Sequence, residues 1–170
     1  WLYEMATDQT KVGQNIRALV SEMQKYRRDV DDIAFLHALS AEIGKAVTYT
    51  VGSTDSETTA EEAMTAGAGV CQDHAQIMIS AARALGFPAR YVSGYLLMDD
   101  RIDQDATHAW CEVFVEGLGW LGFDVSNGIS PDSRYISIAI GRDYREAAPI
   151  LGIRQGEGQE ALEVALQVQQ

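Results

Sequence analysis

The sequence predicts an α+β domain, with N-terminal helices packed on an antiparallel β-sheet. Three observations carry this expectation. Apolar residues recur at helical spacing through the first half of the chain. They form short strand-like runs through the second half. Most of those runs are joined by brief polar turns that suit hairpins. With 170 residues, 46% of them hydrophobic, the chain can bury one core and is too short for two large ones, so residues 1–170 read as one unit.

After a mixed lead-in over residues 1–10, Val12, Ile16, Leu19, Val20 and Met23 predict a helix reaching Tyr26. A charged stretch from Arg27 to Asp32 separates it from a second helix striped by Ile33, Leu36, Leu39, Ile43 and Val47, with His37 at the surface or core edge. Val47-Thr-Tyr-Thr-Val51 is rich in β-branched residues and reads as a short strand, followed by a polar loop to Thr58. Thr59-Ala-Glu-Glu62 fits a capping box, and Gly67 should end the short helix it opens. The longest apolar helix runs from Cys71 to Leu85, stopped by Gly86 and Pro88. Strands are expected over 89–98, 107–115, 120–125, 135–140 and 162–168, with an acidic loop from Asp99 to Asp105 and a turn at Gly117-Leu-Gly119.

Composition excludes some partners. With 13 basic against 25 acidic side chains and a formal charge of −12, the chain lacks the cationic clusters that bind nucleic acid or an anionic membrane surface. No apolar run approaches a membrane span, and no basic-then-apolar signal opens the chain. Two cysteines are too few for a disulfide scaffold and suggest a reducing, cytoplasmic setting. The first residue is Trp1 rather than Met, so the chain is expected to be part of a longer protein.

The chemistry centres on Cys71, which follows Gly67 and Gly69 and opens a helix. The positive end of a helix favours thiolate over thiol, and its free N–H groups can hold an oxyanion. Glycines there let a substrate carbonyl approach the backbone. Two histidines compete as base. His74 lies three residues on, sharing a helix face with Cys71. His108 lies at the start of a strand, and cysteine–histidine pairs usually meet in space. Spacing alone does not decide between them. Strand alternation puts His108, Trp110, Glu112 and Phe114 on one face, read as a site wall. It puts Ala109, Cys111, Val113 and Val115 on the other, read as core. A hairpin joining 107–115 to 120–124 would bring Asp124 to His108, where a carboxylate can fix the imidazole tautomer. A zinc site using Cys71, Asp73, His74, His108 and Asp124 is the alternative, but the paired-cysteine spacing is missing, so no metal and no cofactor is expected.

Gly69-Val-Cys71, Leu85-Gly-Phe-Pro-Ala-Arg90, Gly94-Tyr95, His108-Ala-Trp110, Gly119-Trp120 and Asp124, in that order, resemble the transglutaminase-like superfamily. The tail, with Gly141-Arg-Asp-Tyr144, Pro149 and Gly152, is similar to the family's bacterial cysteine protease branch. The likeness covers about residues 35–168. It implies a papain-like core with Cys71 as nucleophile, His108 as base in preference to His74, and Asp124 as orienter. It also implies thiol-dependent acyl transfer on the amide or peptide bonds of a peptide or protein, by a peptidase, an amidase or a transamidase. His74, Gly69, Gln72, Trp110 and Tyr95 are then expected to bind substrate or tune the site. A non-catalytic binding module on the same fold is the remaining alternative. Members of this branch often carry an N-terminal β-rich region, which is not seen in this sequence. Two positions depart from the family pattern: His74 stands where many relatives have an aromatic residue, and Val125-Ser126 stands where many have Pro-Thr. Asp99, Asp100, Asp103 and Asp105 lead into the His108 strand and read first as a solvated loop at the site rim; the sharper alternative is that they select cationic acceptors or peptides.

Overall fold

The computed structural model describes residues 1–27, 30–97, 103–104, 107–148 and 166–167. The first helix, α1, spans Gln14–Tyr26 and buries Ile16, Val20 and Met23, the stripe read from the sequence. It begins two residues later than the apolar pattern suggests. Gly13 is its cap residue, and the Glu61 carboxylate accepts from the N–H groups of Asn15 and Ile16 at 2.6 and 3.1 Å. A side chain from elsewhere in the chain thus satisfies the orphan donors of this helix start. Helix α2, Asp32–Ala46, is capped by Asp31 and buries Phe35, Leu36, Leu39 and Ile43.

The 47–51 segment yields only a two-residue strand, β1 (Thr48–Tyr49). It pairs in parallel with β2 (Ala68–Gly69), which lies just before the next helix. Between them, α3 (Ala60–Ala66) has the expected capping box of Thr59 with Glu62 and ends at Gly67 in the left-handed conformation. Helix α4, Cys71–Ala84, is the centre of the molecule. Ile77, Met78, Ile79, Ala81 and Ala82 on it are fully buried. Gly86, at φ 88°, turns the chain out of it.

The main sheet contains β3 (Ala89–Leu96), β5 (His108–Val115), β6 (Gly119–Phe123) and β7 (Tyr135–Gly141), in the order β6-β5-β3-β7 and antiparallel throughout. A further two-stranded pair joins β4 (Asp103–Gln104) to β8 (Leu166–Gln167). A short helix, α5 (Tyr144–Ala147), follows β7. The expected strand over 162–168 lies outside the described residues except at 166–167. Of the acidic loop, Asp99, Asp100 and Asp105 lie outside them, and only the backbone of Asp103 is placed. The sheet face carrying Ala89, Tyr91, Cys111, Val113, Val115 and Phe123 packs into one cluster with the apolar faces of α1, α2, α3 and α4. This is the predicted α+β arrangement.

Arg83, near the end of α4, locks the N-terminal segment to this core. Its guanidinium donates to the carbonyls of Tyr3, Met5, Ala89 and Arg142 and to the Thr10 hydroxyl, at 2.8–3.2 Å. Burial pulls its pKa down to about 10, still far above neutrality, so the cation is kept and its five donors are matched by oxygens.

Gly94 shows how closely β3 and β7 approach. A Cβ there would overlap the Ile136 carbonyl oxygen and come within 2.8 Å of the Trp110 ring. Gly94→Ala is expected to destabilise the fold by about 1–3 kcal/mol, the usual cost of overpacking, as measured by urea unfolding. Gly86→Ala is the contrasting case, strained in backbone but open in space.

Candidate active site

Cys71 is the first residue of α4 and is half-buried. The helix start is organised by Asp73, whose carboxylate accepts from the Val70 N–H at 2.7 Å and from the Thr54 hydroxyl at 2.6 Å. This explains Gly69, because a Cβ there would sit 2.8 Å from the Asp73 side chain. Gly69 thus makes room for the helix cap rather than for an approaching substrate.

His108 is the first residue of β5, and the β5–β6 hairpin pairs Cys111 with Phe123, one residue short of Asp124. The Asp124 carboxylate meets His108 Nε2 at 2.6 Å. The same oxygen accepts from the Asn127 side chain at 2.6 Å and the Tyr135 hydroxyl at 2.7 Å, and the other oxygen accepts from the Asn127 N–H at 3.2 Å. Burial opposes ionisation of Asp124. Its hydrogen bonds to His108, Asn127 and Tyr135 and the charge of His108 win, and hold its carboxyl below the usual range. For His108, burial disfavours the cation. Hydrogen bonds to Asp124 and to Cys71, with the charge on both, overcome burial and raise its pKa to about 9. With Asp124 on Nε2, the Nδ1 side of the ring is left for the thiol.

Cys71 and His108 open onto a cavity of about 290 Å³, lined also by Tyr49, Val51, Tyr91, Ser93 and Tyr144 among others. Gln72 lines it too, although its side-chain amide already donates to the Asp55 carbonyl at 3.2 Å. Apart from Cys71 and His108, the lining among the described residues has no charged or titratable side chain except the three tyrosines.

Three sequence expectations fall elsewhere. Trp110 is buried beneath the site, stacked near His108 and edge-on to Tyr135 at 5.3 Å. Glu112, read as site wall, pairs with Arg90 at 2.6 Å, and Arg90 also stacks on Trp120. Tyr95 pairs with Ile136 between β3 and β7 and does not line the cavity. Alternation gave the face of each residue correctly, but it carries no information on what covers that face.

His74 is the fourth departure. It is buried, its Nε2 lies 2.9 Å from the Val47 carbonyl, and its Nδ1 lies 2.8 Å from the Ser126 hydroxyl. A carbonyl can only accept, so Nε2 carries the hydrogen and Nδ1 accepts from Ser126. The ring has no free nitrogen for Cys71 and acts as a brace. It joins α4 to the start of β1 and to the turn after Asp124. The two departures from the family pattern, His74 and Ser126, are thus bonded to each other. The zinc alternative needs a tetrahedral set of ligands drawn from Cys71, Asp73, His74, His108 and Asp124 to converge. His74 and Asp73 are directed to other partners, and no cluster of three or more potential ligands is found among the described residues. Cys111, buried in the core, has its thiol pKa pushed up by burial.

Sequence reading missed Tyr135 and Asn127. Asn127 carries a weak signal, three residues after Asp124 in a turn. Tyr135 carries none until the position of β7 is known.

The sequence profile of the transglutaminase-like superfamily matches residues 17–125, which include Cys71, His108 and Asp124. The chain belongs to the transglutaminase-like superfamily. It is 42% identical over 131 residues to an uncharacterized protein of Mycobacterium tuberculosis (strain ATCC 25618 / H37Rv), a match covering 71% of this chain and 42% of that protein. It is 34% identical over 125 residues to an uncharacterized protein of Mycobacterium leprae, covering 71% of this chain and 44% of that protein. The transglutaminase-like chain thus spans less than half the length of these curated relatives. Among solved structures it is similar to a candidate cysteine protease from Cytophaga hutchinsonii, with TM-score 0.71 and 29% identity over 86% of this chain and 48% of that one. The periplasmic domain of TgpA from Pseudomonas aeruginosa shares the fold, with TM-score 0.55 and 21% identity over 74% of this chain and 46% of that one.

Two outcomes test the site's electrostatics. His108 has its pKa raised from 6.5 to about 9 in the fold. Its stabilising contribution is therefore complete below pH 6.5 and lost as pH rises through about 9. Urea unfolding between pH 5 and pH 10 should show this decline in the wild type and not in His108→Ala. His74→Ala leaves the Val47 carbonyl and the Ser126 hydroxyl without partners and should cost about 1–3 kcal/mol in the same assay, while keeping the pH-dependent decline.

Proposed function

We propose that this chain is a thiol-dependent enzyme that breaks amide or peptide bonds through a cysteine acyl-thioester, with Cys71 as nucleophile, His108 as base and acid, and Asp124 as orienter. Membership of the superfamily and the likeness to the Cytophaga protein support a thiol-dependent catalytic role. The observation that carries the finer reading is the His108 ring, held by Asp124 at 2.6 Å on one nitrogen, with Cys71 at the wall of the same cavity.

In this reading His108 takes the thiol proton from Cys71. The sulfur adds to the carbonyl carbon of the substrate, and the π pair moves onto oxygen. The Cys71 N–H at the start of α4 has no partner along the helix and faces the developing charge. As the intermediate collapses, the C–N bond breaks and the departing nitrogen takes the proton from His108. Water or an amine then attacks the thioester, again through His108, giving hydrolysis or transamidation. Asp124 keeps its charge throughout and stabilises the imidazolium. The substrate is a peptide or protein amide. The cavity lining, aromatic and uncharged apart from the reacting groups, suits an uncharged acyl side chain.

The test is alkylation of Cys71 by iodoacetamide as a function of pH. Wild type should react fast at pH 7. His108→Ala should be slower by about 100-fold or more, Asp124→Asn should fall between the two, and His74→Ala should stay near wild type. Slow labelling of every variant, at the rate of a free thiol, would mean that Cys71 is not an activated nucleophile. Loss confined to His74→Ala would transfer the base to His74.

A further inference from the structure

Tyr91 lies on β3, between Cys111 of β5 and Gly141 of β7, and faces α4. It is 1% exposed, yet it lines the cavity into which Cys71 opens. Its ring is held edge-on by Tyr144 at 6.2 Å. No hydrogen-bond partner for its hydroxyl is found among the described residues. The rest of the side chain is enclosed, so the cavity is the side from which an acceptor can reach this hydroxyl.

Other polar groups at the cavity are less suited to that position. Gln72 has its amide committed to Asp55. Tyr49 is half exposed, so water already serves its hydroxyl. Tyr135 does not line the cavity, and its phenol is bonded to Asp124. Ser93, two residues along the same strand, is also buried at the cavity. Tyr91 and Cys71 line the same cavity, and the charge of Cys71 adds to burial in raising the Tyr91 phenol. Burial and that charge keep the phenol well above its usual range, so it remains a protonated donor at any working pH.

We propose that the Tyr91 hydroxyl donates a hydrogen bond to the carbonyl oxygen of the acyl group as Cys71 adds to it, which makes Tyr91 a catalytic residue of this site. The proposal rests on Cys71 being the nucleophile. As the C–S bond forms, the carbonyl π pair moves onto oxygen, and the O–H of Tyr91 meets that growing charge. When the carbonyl re-forms and the leaving group departs with the C–X electron pair, the hydrogen bond weakens and the phenol keeps its proton.

Two reagents separate this role from thiol activation. Iodoacetamide is attacked at a saturated carbon and forms no oxyanion. p-Nitrophenyl acetate is attacked at a carbonyl and does, releasing p-nitrophenolate as the acetyl group passes to sulfur. Tyr91→Phe keeps the ring and removes only the hydroxyl. It should slow single-turnover acylation by p-nitrophenyl acetate by roughly 100-fold, the scale of one oxyanion donor, and leave iodoacetamide alkylation of Cys71 unchanged. If Tyr91→Phe leaves both rates unchanged, or lowers both equally, the proposal fails while Cys71 stands as nucleophile. If the selective loss appears in Ser93→Ala instead, the donor is Ser93 and the proposal fails. If wild type is already as slow as a free thiol with both reagents, the nucleophile reading fails, and this proposal with it.

Discussion

The site depends on one buried charge. Asp124 is 1% exposed, and a carboxylate so far from water persists as an anion only where donors replace its hydration shell. Here they come from three places in the chain: His108 at the start of β5, Asn127 in the turn after β6 and Tyr135 at the start of β7. Satisfying the charge and building the site are therefore the same event. The register of β5 on β6 must be correct, because a one-residue slip would turn His108 to the other face of the sheet. The bridge between Asp124 and Ile129 closes the turn that delivers Asn127. Edge strand β7 must lie against β3 for Tyr135 to reach the carboxylate.

The other half of the site is carried by α4, and the fold ties the halves together. Asp73 organises the helix start from which Cys71 projects. One turn further on, His74 reaches Ser126, two residues beyond Asp124. The helix bearing the thiol is thus bonded to the turn bearing the carboxylate, away from the cavity itself. An imidazole and a thiol must be held to within about half an ångström for efficient proton transfer, and a brace of this kind supplies rigidity without occupying the reaction space.

What could be read from the sequence follows the range of the forces involved. Cys71 at a helix start, the Thr59 capping box and the hairpin carrying His108 and Asp124 all depend on neighbours within a few residues, or on one tight turn. They are legible as local pattern. The pairing of β1 with β2 involves two residues each and parallel strands from distant segments, so no periodicity announces it. The placement of β7 beside β3 rather than β6 is likewise non-local, and Tyr135 could not be assigned without it. Trp110 and Glu112 mark the limit of strand alternation. It places them on the same face as His108, but of the residues on that face only His108 reaches the cavity. Further along, the face is covered by Tyr135 at Trp110 and closed by the Arg90 ion pair at Glu112.

The competition between two histidines makes the same point for chemistry. His74 is three residues from Cys71, and His108 is 37 residues from it, so proximity along the chain favours His74 as the base. A base needs a nitrogen lone pair directed at the proton it takes. His74 has spent its lone pair on the Ser126 hydroxyl and its N–H on the Val47 carbonyl. Its ring nitrogens are both held by these partners and neither is directed at the thiol. His108 has only its Nε2 engaged by Asp124, and that engagement raises the basicity of the nitrogen that remains. What separates the two rings is how their hydrogen bonds are distributed, and Ser126, set in the turn after Asp124, decides it for His74.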